Sequence, residues 1–123
     1  MSISSLPSKT VLLVDDLSPL RTMIRDFLES QGMHVLEASS GSEAIRVATS
    51  YTGVVHLLLT DIEMPAMSGW ELAAKVMESR PEIRVLYMSA ASLQKGKPRD
   101  AYFIQKPFRL RDLNLLLNRI LAK

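Results

Sequence analysis

Short apolar runs alternate with helical periods along this chain, and no other feature constrains its fold as much. Thr10 to Val14 is nearly all apolar, as a strand covered on both faces must be. Ser18-Pro19 then puts a capping residue before a proline at the first helical position, and Leu20, Met23, Ile24, Phe27 and Leu28 recur on one helical face. Gly32 stops that helix. Met33 to Ala38 reads as a second strand. Ser40-Gly41-Ser42-Glu43 has the Ser-x-x-Glu form of a capping box and opens a helix of about three turns to Ser50. Val54 to Thr60 is the third strand, Ser68-Gly69-Trp70-Glu71 opens a third helix ending near Ser79 before Pro81, and Ile83 to Met88 is the fourth strand. From Ala90 to Asp100, which contains Gly96 and Pro98, no 3.6-residue period is present, so any helix there is short or irregular. Tyr102 to Gln105 is a fifth strand. Leu110, Leu113, Leu116, Leu117, Ile120 and Leu121 make one wide face of a last helix, with Leu115 about 140° from Leu110 and off the stripe.

Strands separated by helix-sized connections predict an α/β fold, a parallel sheet with helices on both faces, because parallel crossovers need a connection of that size and are right-handed. A chain of 123 residues holds one such domain. Residues 1–8, Ser-rich and without a continuous apolar run, read as a flexible tail, and residues 9–123 as the domain.

Ligands of such sheets bind beyond the carboxyl ends of the strands. Those ends carry Asp15 and Asp16 after the first strand, Asp61 after the third, Ser89 after the fourth and Lys106 after the fifth; only the second lacks a candidate. Each alone has an ordinary reading in a loop or cap, but together they bring three carboxylates, a hydroxyl and an ammonium to one mouth of the sheet. Carboxylates this close repel by roughly 4 kcal/mol per pair at an effective dielectric of 20, so they call for a counter-charge. The ligands are oxygen, the chain has no cysteine, and His34 and His56 fall in strands away from this end, so a hard cation such as Mg2+ is expected rather than Zn2+. Lys106 and Ser89 suit the charge of phosphoryl oxygens in transfer. With no Cys or His at the site and no base beside Ser89, the nucleophile is a carboxylate, and Asp61, ending the most apolar strand, is the choice.

The absence of cysteine excludes a disulfide framework and a thiolate metal site and fits a reducing cytoplasm. No run approaches the roughly 20 apolar residues of a membrane span, and no export signal or membrane anchor is expected. A net charge of +2, with the basic residues loosely gathered in the last third, is too mild to argue for nucleic-acid binding.

Four motifs carry a resemblance: Val11-Leu12-Leu13-Val14-Asp15-Asp16, Leu59-Thr60-Asp61-Ile62-Glu63-Met64-Pro65-Ala66-Met67-Ser68-Gly69, Met88-Ser89-Ala90 and Gln105-Lys106-Pro107-Phe108. In order and spacing the chain after Lys9 resembles the receiver domain of two-component response regulators, and it looks most like the C-terminal receivers of hybrid histidine kinases. The resemblance implies a flavodoxin-like, doubly wound five-stranded sheet of order 2-1-3-4-5. It implies that Asp61 takes a phosphoryl group from a histidine kinase or a histidine phosphotransfer protein. It also implies that Asp16 binds Mg2+ directly, Asp15 largely through water, and the backbone carbonyl of Glu63 as a third protein ligand. Ser89 resembles the switch hydroxyl, Phe103 the switch aromatic and Lys106 the phosphate-pairing ammonium, with Lys106-Pro107 expected cis. Such a domain catalyses its own phosphorylation and dephosphorylation and is not a turnover enzyme.

Two departures stand out. Between Ser89 and Lys106 the chain is about five residues shorter than the family pattern, more than one helical turn, so a shortened or absent fourth helix is expected. Glu63 adds a carboxylate two positions after Asp61, where family members tune the attacking water. Other readings are a degenerate receiver that only binds partners, and a Mg2+-dependent aspartyl-phosphate phosphatase. The latter places its acids as Asp-x-Asp and carries a cap that this chain does not encode. Trp70 is assigned to surface packing and the methionines to the core.

Overall fold

The computed structural model describes residues 4–91 and 101–122. The elements run β1 (Thr10–Val14), α1 (Ser18–Ser30), β2 (His34–Ala38), α2 (Gly41–Ser50), β3 (Leu57–Asp61), α3 (Gly69–Ser79), β4 (Arg84–Ser89), β5 (Tyr102–Gln105) and α4 (Leu110–Leu121). The strands form one sheet of order β2-β1-β3-β4-β5, and every neighbouring pair is parallel. The flavodoxin-like order implied by the resemblance is therefore the one observed. The expected shortening of the helix between Ser89 and Lys106 falls on residues 92–100, outside the described residues.

Side chains that alternate along each strand divide the core into two layers. Val11, Leu13, Leu57, Leu59, Leu86, Met88 and Ile104 face Ile24 and Leu28 of α1 and Leu113, Leu117 and Ile120 of α4. Leu12, Val14, Leu58 and Tyr87 face Ala44 and Ala48 of α2 and Leu72, Ala73 and Val76 of α3. β1 and β3 are buried at every position, which is why they read as unbroken apolar runs. Leu115 is 64% exposed, as its place off the stripe requires.

Several local expectations are corrected. The cap of α1 is Leu17, extended at φ −88°, and Ser18 is already helical. Asp15 Oδ1 accepts the Leu17 N–H at 2.9 Å, so the strand-end carboxylate fixes the entry to the helix. At α2, Ser40 Oγ accepts the Glu43 N–H, but the Glu43 carboxylate returns to the Ser39 N–H at 2.7 Å rather than to Ser40. Among the described residues, the box closes in full only at α3, between Ser68 and Glu71. β3 starts at Leu57, not Val54, because the His56 ring takes the backbone site where the ladder would continue: its Nδ1 accepts the Thr10 N–H at 2.9 Å. β3 and β4 each reach one residue further than expected, so Asp61 and Ser89 are the last strand residues.

Part of the stretch read as a tail is packed. Leu6 is fully buried in the layer under α1 and α4, and the Ser5 N–H donates to Asn118 Oδ1 of α4 at 2.6 Å. Ser8 donates its N–H to the carbonyl of Gly32, whose φ of +87° lets the chain turn from α1 into β2.

Candidate functional site

Parallel pairing in register brings the strand ends to one edge. Asp15 and Asp16 follow Val14 of β1, Asp61 pairs with Met88, and Ser89 pairs with Gln105, one residue before Lys106. All five side chains that the strand-end rule selects converge at this edge. Asp15 is fully buried, Asp61 is 5% exposed, Ser89 is fully buried and Asp16 is exposed. One carboxylate oxygen from each of Asp15, Asp16 and Asp61 lies within 4.8 Å of the other two. Lys106 Nζ donates to Asp15 Oδ2 at 3.1 Å and stands 3.4 Å from Asp61 Oδ1. The Lys106-Pro107 bond is cis, as expected. The lysine backbone is tied to β4 by its N–H to the Ser89 carbonyl at 2.8 Å.

Charge is unbalanced here in one direction. Burial pushes the Asp61 carboxyl up from its ordinary value, Lys106 pulls it back, and the charge of Asp15 pushes it up again. Among the described residues, Asp61 Oδ1 is buried and accepts no hydrogen bond, a condition that costs free energy unless a cation or donor meets it. An orphaned acceptor among three carboxylates, with oxygen as the donor atom throughout, fits a hard divalent cation such as Mg2+. Asp15, Asp16 and Asp61 are the side chains that could hold it.

Sequence reasoning missed some of the machinery. For Glu63 only the backbone carbonyl was expected at the site; its side chain also takes part, accepting from Ser89 Oγ at 2.8 Å on Oε1 and 2.7 Å on Oε2. Arg21 of α1 donates from Nη1 to the Asp15 carbonyl at 2.6 Å and from Nε to Glu37 of β2 at 3.2 Å, clamping the residue before Asp16. Three aromatic residues gather beside the edge: the Trp70 ring lies 4.3 Å from Tyr87 and 5.5 Å from Phe103, and Tyr87 stacks on Phe103 at 5.4 Å. Trp70 is thus packed against the aromatic that the resemblance singles out. Nothing in the local sequence signals these contacts, because each joins separate elements.

Gly69 is required by close approach. A Cβ there would fall on the Asp61 carbonyl oxygen and the Ile62 Cα, while its N–H bonds to the Ile62 carbonyl at 2.9 Å. An apolar cavity of about 280 Å³ shares Lys106 with the site and is otherwise lined by Leu20, Met23, Ala90, Pro107 and Phe108. A wider cavity of about 520 Å³, with Lys9, His56 and Arg80 in its wall, lies at the opposite end of the sheet and does not reach the acids. Among the described residues, no helix is long and apolar enough to cross a membrane.

Comparison with known proteins agrees with this geometry. Residues 11–118 match the family described as the response regulator receiver domain. The chain is 36% identical over 110 residues to the response regulator receiver protein CpdR of Brucella abortus, covering 85% of this chain and 90% of CpdR. It is 33% identical over 121 residues to the sensor kinase CckA of the same organism, covering 94% of this chain but spanning only 13% of that kinase. Among solved structures, the receiver domain of the hybrid histidine kinase CckA superposes with a TM-score of 0.80 at 28% identity, covering 91% of this chain and 98% of that one. A response regulator receiver protein from Sinorhizobium medicae superposes with a TM-score of 0.82 at 26% identity, covering 94% and 95%. With the match running from β1 into α4 and the sheet order and acidic edge in place, the chain belongs to the response regulator receiver domain family.

Proposed function

We propose that this domain is the phosphoryl acceptor of a phosphorelay, with Asp61 as the nucleophile. An Asp61 carboxylate oxygen attacks the phosphorus of a phosphohistidine; the new O–P bond forms as the N–P bond breaks, and the imidazole nitrogen leaves with the electron pair. The single observation that carries this reading is the state of Asp61: buried, with Oδ1 accepting no hydrogen bond among the described residues, 3.4 Å from Lys106 and grouped with Asp15 and Asp16. Such a carboxylate is poorly solvated and therefore reactive, and it is surrounded by groups that complement a transferred phosphoryl group.

Mg2+, held by Asp15, Asp16, Asp61 and the Glu63 carbonyl, would supply the positive charge that neutralises developing charge on the phosphoryl oxygens. Lys106 pairs with one phosphoryl oxygen, and Ser89 donates its hydroxyl to another. Asp15 also orients α1 through the Leu17 N–H, so a load on the acids is felt at the helix entry. The donor is a histidine kinase or a histidine phosphotransfer protein in the cytoplasm. The similarity to a receiver from a hybrid histidine kinase supports that partner class. Leu17 and Met23, 55% and 45% exposed, give it an apolar rim beside the acids. The acyl phosphate, formed once per donor, is the signal, so the domain is a switch and not a turnover enzyme. Phe103, packed on Tyr87 and Trp70, reports the state of Ser89 to the surface.

The test is phosphoryl incorporation from acetyl phosphate with and without Mg2+, in the wild type and in Asp61→Ala. Metal-dependent label absent from the variant is expected. Absence of label in the wild type, with acetyl phosphate and with a phosphorylated histidine kinase, would leave a domain that only binds partners.

A further inference from the structure

Glu63 is exposed and two positions past Asp61, yet its carboxylate is committed. Both of its oxygens accept from Ser89 Oγ, at 2.8 and 2.7 Å, and Oε1 also receives the Ala90 N–H at 3.3 Å. Ser89 is fully buried, and its oxygen is held from the other side by the Ala91 N–H at 3.1 Å. A serine hydroxyl has one proton to donate. While that proton lies on Glu63, it is not available to an anion on Asp61. The two residues are 26 positions apart, Ser89 at the end of β4 and Glu63 two residues past the end of β3, so the contact is made by the fold and not by local chain geometry.

We infer that Glu63 is a positioning residue acting through Ser89: a latch that holds the Ser89 proton in the resting state and must release it before Ser89 can serve a group on Asp61. This deepens the receiver reading and rests on it, since the value of the Ser89 proton to an anion on Asp61 comes from there. The latch differs from simple repulsion between the Glu63 charge and the incoming anion. Repulsion acts whether or not Ser89 is present; proton competition needs the hydroxyl.

A double-mutant cycle separates the two. Beryllofluoride in the presence of Mg2+ serves as the probe of an anion on Asp61, and its affinity is measured by titration calorimetry for the wild type, Glu63→Ala, Ser89→Ala and the double variant, with Asp61→Ala as the blank. Glu63 is exposed and Ser89→Ala removes only a hydroxyl, so both variants retain the fold, and thermal unfolding checks this. A hydrogen bond to a charged acceptor is strong enough that its release is expected to tighten beryllofluoride binding about 10-fold in Glu63→Ala. In the Ser89→Ala background the same substitution is expected to change affinity less than about 2-fold. An equal gain in both backgrounds would overturn the latch and leave repulsion, while the receiver reading stands. Unchanged or weaker binding in Glu63→Ala would overturn it as well. Failure of all four proteins to bind beryllofluoride would overturn the receiver reading, and the latch with it.

Discussion

Lys106 Nζ stands 3.4 Å from Asp61 Oδ1, a buried oxygen that accepts no hydrogen bond among the described residues, and the ammonium offsets part of the rise that burial gives the Asp61 carboxyl. The same ammonium donates to the fully buried Asp15 at 3.1 Å. Replacing Lys106 with Ala leaves two buried acids without their cation. Such a loss costs about 3–5 kcal/mol when the pair is wholly buried; with the lysine side chain 13% exposed, a value nearer ~2 kcal/mol is expected from urea unfolding in metal-free buffer. Phosphoryl incorporation from acetyl phosphate should fall about 100-fold, the scale seen when one donor to a developing oxyanion is removed.

The pH dependence of Asp61 has a definite sign. Its carboxyl is raised above the ordinary value by burial, so between that value and the raised one the folded state binds more protons than the unfolded state. The stabilisation is full below the unfolded value and is lost as pH rises through the folded one. Asp61→Asn, which carries no proton to lose, is expected to be more stable than the wild type at pH 7 without metal, and to lose this slope. Urea midpoints from pH 4 to 7 in EDTA measure it. A wild-type midpoint that rose across this range relative to Asp61→Asn would contradict the assignment.

Mg2+ should stabilise the wild type in proportion to the logarithm of its concentration above the dissociation constant, since it binds the folded acids and not the unfolded chain. At 100 times that constant the gain is about 2.7 kcal/mol. Thermal unfolding with and without Mg2+ is the measurement. Asp16→Ala, which removes an exposed carboxylate of the cluster and no core packing, should abolish most of the shift without lowering the metal-free midpoint.

Gly69→Ala tests how tightly the loop after β3 is drawn. The added methyl would meet the Asp61 carbonyl and the Ile62 Cα, backbone atoms that cannot move aside as a side chain can. Destabilisation of about 1–3 kcal/mol is expected, as for other overpacked sites. Because the displaced backbone belongs to Asp61, acyl phosphate formation should slow even at temperatures where the variant is fully folded.

The helix starts give a contrast within one chain. Ser68→Ala removes the closed capping box of α3 and should cost about 1 kcal/mol, whereas Ser18→Ala removes no cap bond from α1 and should be nearly neutral. Leu6→Ala should cost about 2–5 kcal/mol if the segment ahead of Lys9 is part of the core layer, as its full burial shows. Chemical unfolding of the three variants under one set of conditions decides all of this.

What the sequence by itself determined was local or periodic. Unbroken apolar runs such as Leu57 to Thr60 mark strands covered on both faces, the 3.6-residue stripe from Leu110 to Leu121 marks α4, and the carboxyl-end rule brought Asp15, Asp16, Asp61, Ser89 and Lys106 to one edge. These follow from backbone periodicity and from parallel strands sharing one direction, which residue order alone encodes. Only the tertiary structure decided which partner each polar group takes. Ser18 looked like a cap, but Asp15 claims the Leu17 N–H and moves the helix start. Val54 looked like strand, but the His56 ring ends the ladder. Leu6 looked like tail, but the gap between α1 and α4 takes it in. Glu63 gave no sign of reaching Ser89 across 26 residues. A hydrogen-bonding group commits to whichever partner the packed elements bring within about 3 Å, and that distance exists only once the sheet and its helices have closed.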